Sequence, residues 1–329
     1  MYSSLDRPSR MVERQPELGA ASVAICAYTM RRWEDLTASV ASVVVQLRPG
    51  DECLLVIDHN EELFARATVE FAGNERVRVI ANEGTRGLSS ARNTAIANSH
   101  GAVVAFLDDD AAAGPAWLGE VLAALNHPDV YGVGTAALPR WATGRRPAWF
   151  PPEFDWVVGC SYRGLPTERA EVRNVIGAAM AFRREAFDLA GTFSSAVGRV
   201  GTTPTGCEET ELCIRLRRAR PSARITYLPD VSVSHHVTAD RLRVSYFLRR
   251  CVGEGLSKAR VSRLVGSEAG LASERAYVRS VLPRAVGREL GRALRGHPAG
   301  LGTAVLIVAG VCAAGGGYLR GRLAREAAP

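Results

Sequence analysis

The sequence predicts an α/β fold: a mostly parallel sheet with helices on both faces, followed by a C-terminal helical segment. Two observations support it. Apolar strands and amphipathic helices alternate four times within about the first hundred ordered residues, and the strands are continuous apolar runs, as in a parallel sheet that is covered on both faces. The 329 residues, 47% of them hydrophobic and 23% charged, are enough for one large domain or two small ones.

The first half of the chain supplies four strand–helix units. The first helix shows helical spacing at Leu36, Val40, Val43, Val44 and Leu47, and Pro49-Gly50 closes it. The predicted strands are ASVAICAY, ECLLVID, RVRVIAN and AVVAFLD, and the helices between them are EDLTASVASVVVQL, ELFARATVEF and LSSARNTAIANS.

The pattern changes after residue 110. We expect a helix that Pro115 opens, because proline suits the first helical turn. The stretch from about Arg140 to Arg173 has no periodicity and is predicted to be a loop system or an insertion. The other predicted elements are the strand YGVGTAAL, the strand and helix within NVIGAAMAFRREAFDLAG, the helix TGCEETELCIRLRRA and the strand RITYLPDVSVSHHV, before an Arg-rich helical region from about Ala239.

Polar residues follow each of the first four strands. These strands end at Ala27-Tyr28, at Asp58, at Asn82 and at Asp108 to Asp110. Ligands of open α/β sheets bind beyond the carboxyl ends of the strands. The sequence therefore predicts a binding site at this edge.

Three consecutive acids cap the fourth strand. Asp108 and Asp110 lie on one side of an extended chain, and Asp109 points the other way. Crowded carboxylates repel each other, and oxygen ligands suit Mg²⁺ or Mn²⁺. We interpret the cluster as a metal site; a solvated acidic turn is the alternative.

Other polar groups are candidates for chemistry. Glu208, Glu209 and Glu211 open a helix, where acids also suit the dipole, and one of them is a candidate general base. Arg92 and Asn93 lie early on a helix, where arginine binds a phosphate or pairs with an acid. His235 and His236 end the last strand, and either a ligand or a structural role fits them.

The segment Pro298 to Leu319 contains no charged residue, and Arg320, Arg322 and Arg325 follow it. Its length suffices for a membrane span, although glycine and alanine reduce its hydrophobicity. A helix that docks on the domain is the alternative. The preceding RAVGRELGRALRG alternates arginine with apolar residues, as an interfacial helix does.

The amino-acid composition limits the classes of partner that we expect this protein to bind. The formal net charge is +7, which indicates acidic partners such as anionic lipid or sugar phosphates. No zinc spacing or basic–aromatic stripe is present, so we expect no nucleic-acid binding. Seven scattered cysteines without a C-x-x-C pair predict reduced thiols and a cytoplasmic catalytic domain, and no signal peptide is recognised.

From about Ser22 to Val237, the chain resembles the inverting family 2 glycosyltransferases, which have the Rossmann-like GT-A fold. The matching motifs are VAICAYTM, LLVIDHN, NEGTRGLSSARNTAI and FLDDDA, of which the third is the most specific. The resemblance implies a metal ligand at Asp110 and a nucleotide-sugar site at these positions: Ala27, Tyr28, Asp58, Gly87, Arg92, Asn93, Asp108 and Asp109.

The later motifs concern the acceptor. GAAMAFRREAFDLAGTF resembles the loop beneath the donor sugar, with Gly177 and Ala178 at its turn. GCEETELCIRL resembles the helix that supplies the catalytic base. The usual aspartate is replaced by Glu209, which we favour over Glu208. The late histidine implies a ligand at His236, and the absence of Q-x-x-R-W implies transfer of a single sugar.

The implied function is metal-dependent, inverting transfer of one hexose from a UDP-, GDP- or TDP-linked donor to a hydroxyl. Mn²⁺ or Mg²⁺ would be the cofactor. The acceptor would be a glycolipid, a polyprenyl-linked glycan or a polysaccharide precursor of the cell envelope. Two alternatives are a sugar nucleotidyltransferase, against which the lack of an N-terminal glycine loop counts, and an inactive membrane-tethered binding protein.

We predict four segments along the chain. A disordered tail covers 1–20, the GT-A domain 21–240, an Arg-rich helical extension 241–296, and an apolar C-terminal helix, a candidate membrane segment, 297–329. The last segment would hold the enzyme at the inner face of the cell membrane.

Overall fold

A computed structural model describes residues 18–198 and 206–324. Within them, a nine-stranded mixed sheet has the order β3-β2-β1-β4-β8-β6-β9-β5, and β7 pairs with β9. The strands are β1 Ala21–Ala27, β2 Glu52–Ile57, β3 Val77–Ala81, β4 Val103–Asp108, β5 Ala111–Ala113, β6 Val130–Trp141, β7 Ala170–Glu171, β8 Ala179–Arg183 and β9 Arg224–Val237.

Helices cover both faces of this sheet and continue beyond it. They are α1 Trp33–Val44, α2 Glu61–Phe71, α3 Leu88–Asn98, α4 Trp117–Leu125, α5 Arg184–Ala190, α6 Glu208–Ala219, α7 Val244–Val265, α8 Ser267–Gly270, α9 Ala272–Ala276, α10 Leu282–Leu294 and α11 Ala299–Leu323. The predicted tail lies almost wholly outside the described residues, as does Arg325.

The first four long strands form the parallel half of the sheet, as predicted. β1 lies between β2 and β4 and is parallel to both, and β3 extends the sheet beyond β2. Alternate residues of β1 enter different cores: Val23 and Ile25 pack on one face with Leu36, and Ala24 packs on the other with Phe106. Each buried leucine or isoleucine stabilises the fold by about 1.5–3 kcal/mol.

The second half of the sheet is mixed. β8 is antiparallel to β4 and to β6, whereas β9 is parallel to β6. The three-residue β5 pairs antiparallel with β9, which brings Ala111 opposite His235. This pairing places the end of the last long strand beside the residues that follow β4.

The helix predicted to open at Pro115 begins two residues later, at Trp117. Gly114 donates its backbone N–H to Ser232, and Ala116 has a left-handed backbone with φ +58°. Residues 114–116 therefore form a turn that closes the β5–β9 pairing, and a right-handed helix starts only after it.

The aperiodic stretch between β6 and β8 is a packed segment. It contains a 3₁₀ helix at Pro152–Val158 and the short strand β7. Phe150 and Phe154 form an apolar cluster with Phe247 of α7 and Ile307 of α11. This cluster joins the predicted loop system to the C-terminal helices.

Helix α11 is, among the described residues, the one long and apolar enough to cross a membrane. It has 25 residues, and its most apolar window has a hydropathy of 1.9 with 28% of the window buried. It packs on α7 through glycines: a Cβ on Gly317 would collide with the carbonyl of Val252, and one on Gly321 would lie 2.7 Å from the Cβ of Ala259. The two helices therefore approach to backbone contact.

Candidate active site

The carboxyl ends of β1, β2 and β4 meet at one edge of the sheet, as the strand order requires. A small pocket of about 90 Å³ lies there. Its lining includes Ala27, Tyr28, Asp58, Asp108, Asp109, Asp110, Arg32, His235 and Arg241. Most of the residues expected to contact a nucleotide sugar thus surround one space.

Asp108 and Asp110 form a cluster with His235. One ligand atom from each of the three lies within 4.8 Å of the others. The His235 Nε2 atom is 3.2 Å from Asp110 Oδ1 and 3.9 Å from Asp108 Oδ2. Two carboxylates and an imidazole fit a divalent cation such as Mn²⁺, so these residues suit the expected metal.

The structure brings the other histidine of the pair to the aspartates. The sequence favoured His236, but His236 Nδ1 lies 2.6 Å from Asp35 Oδ2 on α1. Adjacent residues of a strand point to opposite faces of a sheet. Pairing of β9 with both β5 and β6 fixes which face each histidine occupies, and sequence spacing alone does not show this.

Two arginines that the sequence analysis did not single out also contact the acids. Arg32 Nη1 lies 2.6 Å from Asp109 Oδ1 and 3.2 Å from Asp110 Oδ2. Arg241, which is buried, donates from Nη2 to Asp110 Oδ2 at 3.1 Å. Because the chain is rich in arginine, the residue type alone does not mark these two positions as part of the site. Their one sequence signal is that each closely follows a strand that ends at the site.

Burial and neighbouring charges shift the pKa values of Asp109 and Asp110 in opposite directions. Burial raises the pKa of Asp109 to about 6, against the opposing charge of Arg32. Although burial also opposes ionisation of Asp110, the charges of His235 and Arg241 hold its pKa well below its usual range. Asp110 is therefore an anion at neutral pH, as a metal ligand must be.

Arg92 connects the aspartates to the glutamates. It is only 2% exposed; Nη1 lies 2.7 Å from Glu208 Oε1, and Nη2 lies 3.5 Å from Asp108 Oδ1. The same nitrogen donates to the carbonyl of Gly177 at 3.0 Å. One buried guanidinium thus joins α3, the end of β4, the turn before β8 and the start of α6.

The three acids at the start of α6 have different environments. Glu208 pairs with Arg92, and Glu211 pairs with Arg215 at 2.6 Å. Glu209 is half-buried and faces a cavity. The helix begins directly after Cys207, whose left-handed φ of +75° is rare for a residue with a side chain and sets the direction of this turn.

Glu209 has the properties of a proton acceptor. Burial and the neighbouring charge of Glu208 raise its pKa to about 7, against the opposing charges of Arg92 and Lys258. General bases work best with a pKa near the working pH. Glu208, held by Arg92, has one buried oxygen, Oε2, that has no hydrogen-bond partner within the described part of the chain.

A large cavity of about 820 Å³ begins at these glutamates. Asp108 lines both this cavity and the small pocket, so the two spaces adjoin. The predicted residues among its lining are Arg92, Asp108, Gly177, Ala178, Glu208 and Glu209. The site therefore has room for a second, larger substrate beside the small pocket.

Two of the predicted site residues, Gly87 and Asn93, line neither the small pocket nor the large cavity. Gly87, with φ +139°, donates its N–H to Asp58 Oδ2 at 2.9 Å and thereby orients that carboxylate. Asn93 exchanges hydrogen bonds with the backbone of Phe193. The structure thus gives Gly87 a positioning contact and places Asn93 in the support of the loop before α6.

Comparisons with known proteins agree with this geometry. The profile of Glycosyl transferase family 2 matches residues 22–190. Over 238 residues, the chain is 34% identical to the glucosyl-dolichyl phosphate glucuronosyltransferase of Haloferax volcanii, and the match covers 72% of this chain and 75% of that protein.

Solved structures share the fold. One is the mannosyltransferase PcManGT from Pyrobaculum calidifontis, in complex with GDP-Man and Mn²⁺, with a TM-score of 0.61, 17% identity and coverage of 95% of this chain and 90% of that one. Another is GalNAc-T7 with UDP, GalNAc and Mn²⁺, with a TM-score of 0.52, 17% identity and coverage of 73% and 48%.

Proposed function

Because the chain belongs to glycosyl transferase family 2 and is a glycosyltransferase, we propose that it transfers one sugar, with inversion, from a nucleotide diphosphate sugar to a hydroxyl of a lipid-linked acceptor. One observation carries the proposal: Arg92 contacts both Asp108 and Glu208, so the aspartates and the glutamates serve one site. Because the chain belongs to this family, we no longer consider the alternative that it is a sugar nucleotidyltransferase.

The small pocket would hold the donor. Asp58 accepts hydrogen bonds from Asn82 and Gly87 and lines the pocket, where a further lone pair can meet a ring N–H of uracil, thymine or guanine. Asp108, Asp110 and His235 would hold Mn²⁺ or Mg²⁺, and the two solved neighbours with Mn²⁺ support this choice. When bound, such a cation supplies positive charge to the leaving diphosphate.

The residues of the chain would perform the transfer as follows. Glu209 Oε accepts the proton of the acceptor hydroxyl, whose oxygen attacks the anomeric carbon on the face opposite the diphosphate. The bond to the leaving oxygen breaks, and the configuration inverts. Arg32 and Arg241 place two further positive charges next to Asp109 and Asp110, at the end of the pocket where negative charge develops.

The acceptor class rests on the similarity to the Haloferax enzyme, whose name specifies a dolichyl phosphate-linked sugar. The exposed face of α11 supports it. This face is a continuous apolar stripe of Leu301, Val305, Val308, Cys312, Gly316, Leu319 and Leu323, of which the leucines and valines are 51–81% exposed. Arg320 follows Leu319 on the same helix, and Arg284 and Arg292 lie on the preceding α10; all three are exposed, and their charge complements anionic lipid.

We propose that α11 rests on the cytoplasmic membrane surface and does not cross the bilayer. Gly310 contacts Phe247 of α7, and Gly321 contacts Ala259, so α7 lies alongside the second half of α11. A spanning α11 would carry the exposed Arg249 and Arg260 of α7 into the hydrocarbon. Each arginine at the bilayer centre costs about 2.5–3.5 kcal/mol.

A donor screen tests the proposed function. Purified protein with Mn²⁺ is incubated with UDP-, GDP- and TDP-linked sugars, with and without a polyprenyl phosphate-linked sugar. We expect one donor to release its nucleoside diphosphate, faster with the acceptor. Release of inorganic pyrophosphate, or turnover of no donor, would refute the assignment.

A further inference from the structure

The large cavity extends from the candidate catalytic residues to the C-terminal helix. Asp108 and Glu209 line one end. At the other end, one face of α11 lines it with Gly310, Val311, Ala314, Gly315 and Tyr318. They form two adjacent pairs, 310/311 and 314/315, followed by Tyr318, and members three or four residues apart lie on one face of a helix. The apolar helix therefore forms a wall of the same cavity that contains Glu209.

The end of the cavity at α11 is apolar. Its other walls come from Phe154 and Trp156 of the 3₁₀ helix and from Val278, Val281 and Leu282 around the start of α10. Val278 is 45% exposed, and Gly315 is also exposed, so this end reaches the protein surface. The small residues of α11 leave the space open: a Cβ on Gly315 meets no atom within 4 Å.

Charged side chains lie between the two ends. Lys258 of α7 is close enough to Glu209 to lower its pKa. It lies 2.7 Å from Glu274, which Arg173 also contacts. Three residues before Lys258, Gly255 packs against Ala314 and Tyr318 of α11. Along the cavity, the order is therefore a candidate base, the cations Lys258 and Arg173 with their partners Glu254 and Glu274, and an apolar wall.

We propose that the α11-lined end of the cavity binds the hydrocarbon chain of the lipid-linked acceptor. This inference rests on the proposed function. The order of chemistry in the cavity matches the order of groups in a polyprenyl phosphate-linked sugar: sugar hydroxyl, phosphate linkage, hydrocarbon. The apolar stripe that would face the membrane belongs to the same helix, so the chain can pass from the cavity directly into lipid.

Neighbouring glycines provide a matched test. Gly315 lines the cavity, whereas Gly316 lies on the apolar stripe, and a Cβ on either meets no atom within 4 Å. Gly315→Phe and Gly316→Phe are compared with two acceptors that carry the same sugar phosphate, one on a long polyprenyl chain and one on a chain of two isoprene units. Thermal unfolding verifies that both variants fold.

We expect Gly315→Phe to raise the KM of the long-chain acceptor by about tenfold or more. It should change the KM of the short-chain acceptor, and the Mn²⁺-dependent hydrolysis of donor alone, by less than about twofold. Gly316→Phe should change none of these values. Equal KM effects on both acceptors, or no effect of Gly315→Phe, would overturn the inference. If wild-type protein turned over no donor, the proposed function itself would fail.

Labelling gives a readout that does not depend on turnover. In a Cys312→Ser background, Gly315→Cys and Gly316→Cys are treated with a maleimide in detergent. The long-chain acceptor should slow labelling at position 315 several-fold and leave position 316 unchanged. Equal protection at both positions would indicate only general lipid binding to α11, and the inference would be wrong.

Discussion

At the scale of single residues, the chemistry depends on how neighbouring acids are made different. Glu208, Glu209 and Glu211 open the same helix, yet Arg92 forms an ion pair with the first and Arg215 with the third. Glu209 is left facing the cavity, with burial and Glu208 raising its pKa to about 7. The difference between these acids therefore comes from their ion-pair partners, of which Arg92 is distant in the sequence and Arg215 lies one turn along the same helix.

Replacement of the proposed base should abolish transfer without unfolding the protein. Glu209→Gln keeps the shape of the side chain but cannot accept a proton, so we expect kcat to fall by about 10²–10⁴-fold. Steady-state kinetics with the best donor measures this. Glu211→Gln, on the same helical turn, is the control and should stay within about threefold of wild type. A folded Glu209→Gln variant with normal kcat would exclude Glu209 from this role.

The pKa of Glu209 predicts the acid limb of the pH profile. The base must be ionised, so kcat/KM should rise with pH through about 7. Glu208→Gln removes a negative charge that raises this pKa, and the charge of Arg92, which lowers it, then lacks its partner. The midpoint should therefore move to lower pH. A midpoint that stayed in place or rose would contradict the proposed role.

The histidine that the sequence did not favour should matter for the metal. His235→Ala removes one member of the three-residue cluster, and we expect Mn²⁺-dependent nucleotide binding to weaken by at least about tenfold. His236→Ala loses only its contact with Asp35 and should bind within about twofold of wild type. Calorimetry with both variants decides between the two histidines. A larger loss of binding in His236→Ala than in His235→Ala would support His236, the residue that the sequence favoured.

At the scale of elements, α11 combines two faces that serve different partners. Its glycines pack against α7, and its stripe of exposed leucines and valines faces outward. A helix with this division suits an interface between a domain and a lipid surface.

Charges on the apolar stripe should release the protein from lipid. Val305→Asp with Val308→Asp replaces two residues that are 60% and 51% exposed. We expect flotation with vesicles of anionic phospholipid to drop several-fold, because buried apolar area and attraction to the lipid both decrease. Val69→Asp, at a residue 80% exposed on α2, is the matched control. Equal flotation of the double variant and wild type would exclude the stripe as the lipid contact.

At the scale of the whole molecule, the features that could be predicted from the sequence are those that a local sequence pattern determines. Continuous apolar runs gave the parallel strands, and the acids after β4 lie at the predicted edge, next to Tyr28 and Asp58. The choice between His235 and His236 depended on how β9 pairs with β5 and β6. Arg241 became recognisable only when its contact with Asp110 was seen.

In the C-terminal region, too, the sequence predicted the helix but not its tertiary contacts. The length and composition of α11 were evident from the sequence, and both a span and a docked helix fitted them. Its glycine contacts with α7, and its share in the cavity that contains Glu209, depend on tertiary packing. The predicted segment boundaries at 240 and 296 stay predictions.

The central claim is that the edge of the sheet binds a nucleoside diphosphate through a divalent cation held by Asp108, Asp110 and His235. Titration calorimetry with UDP, GDP and TDP, with and without Mn²⁺, tests it most directly. We predict that one nucleotide binds only with Mn²⁺, and that folded Asp110→Asn loses this binding. Binding that is independent of Mn²⁺, or that Asp110→Asn retains in full, would contradict the account.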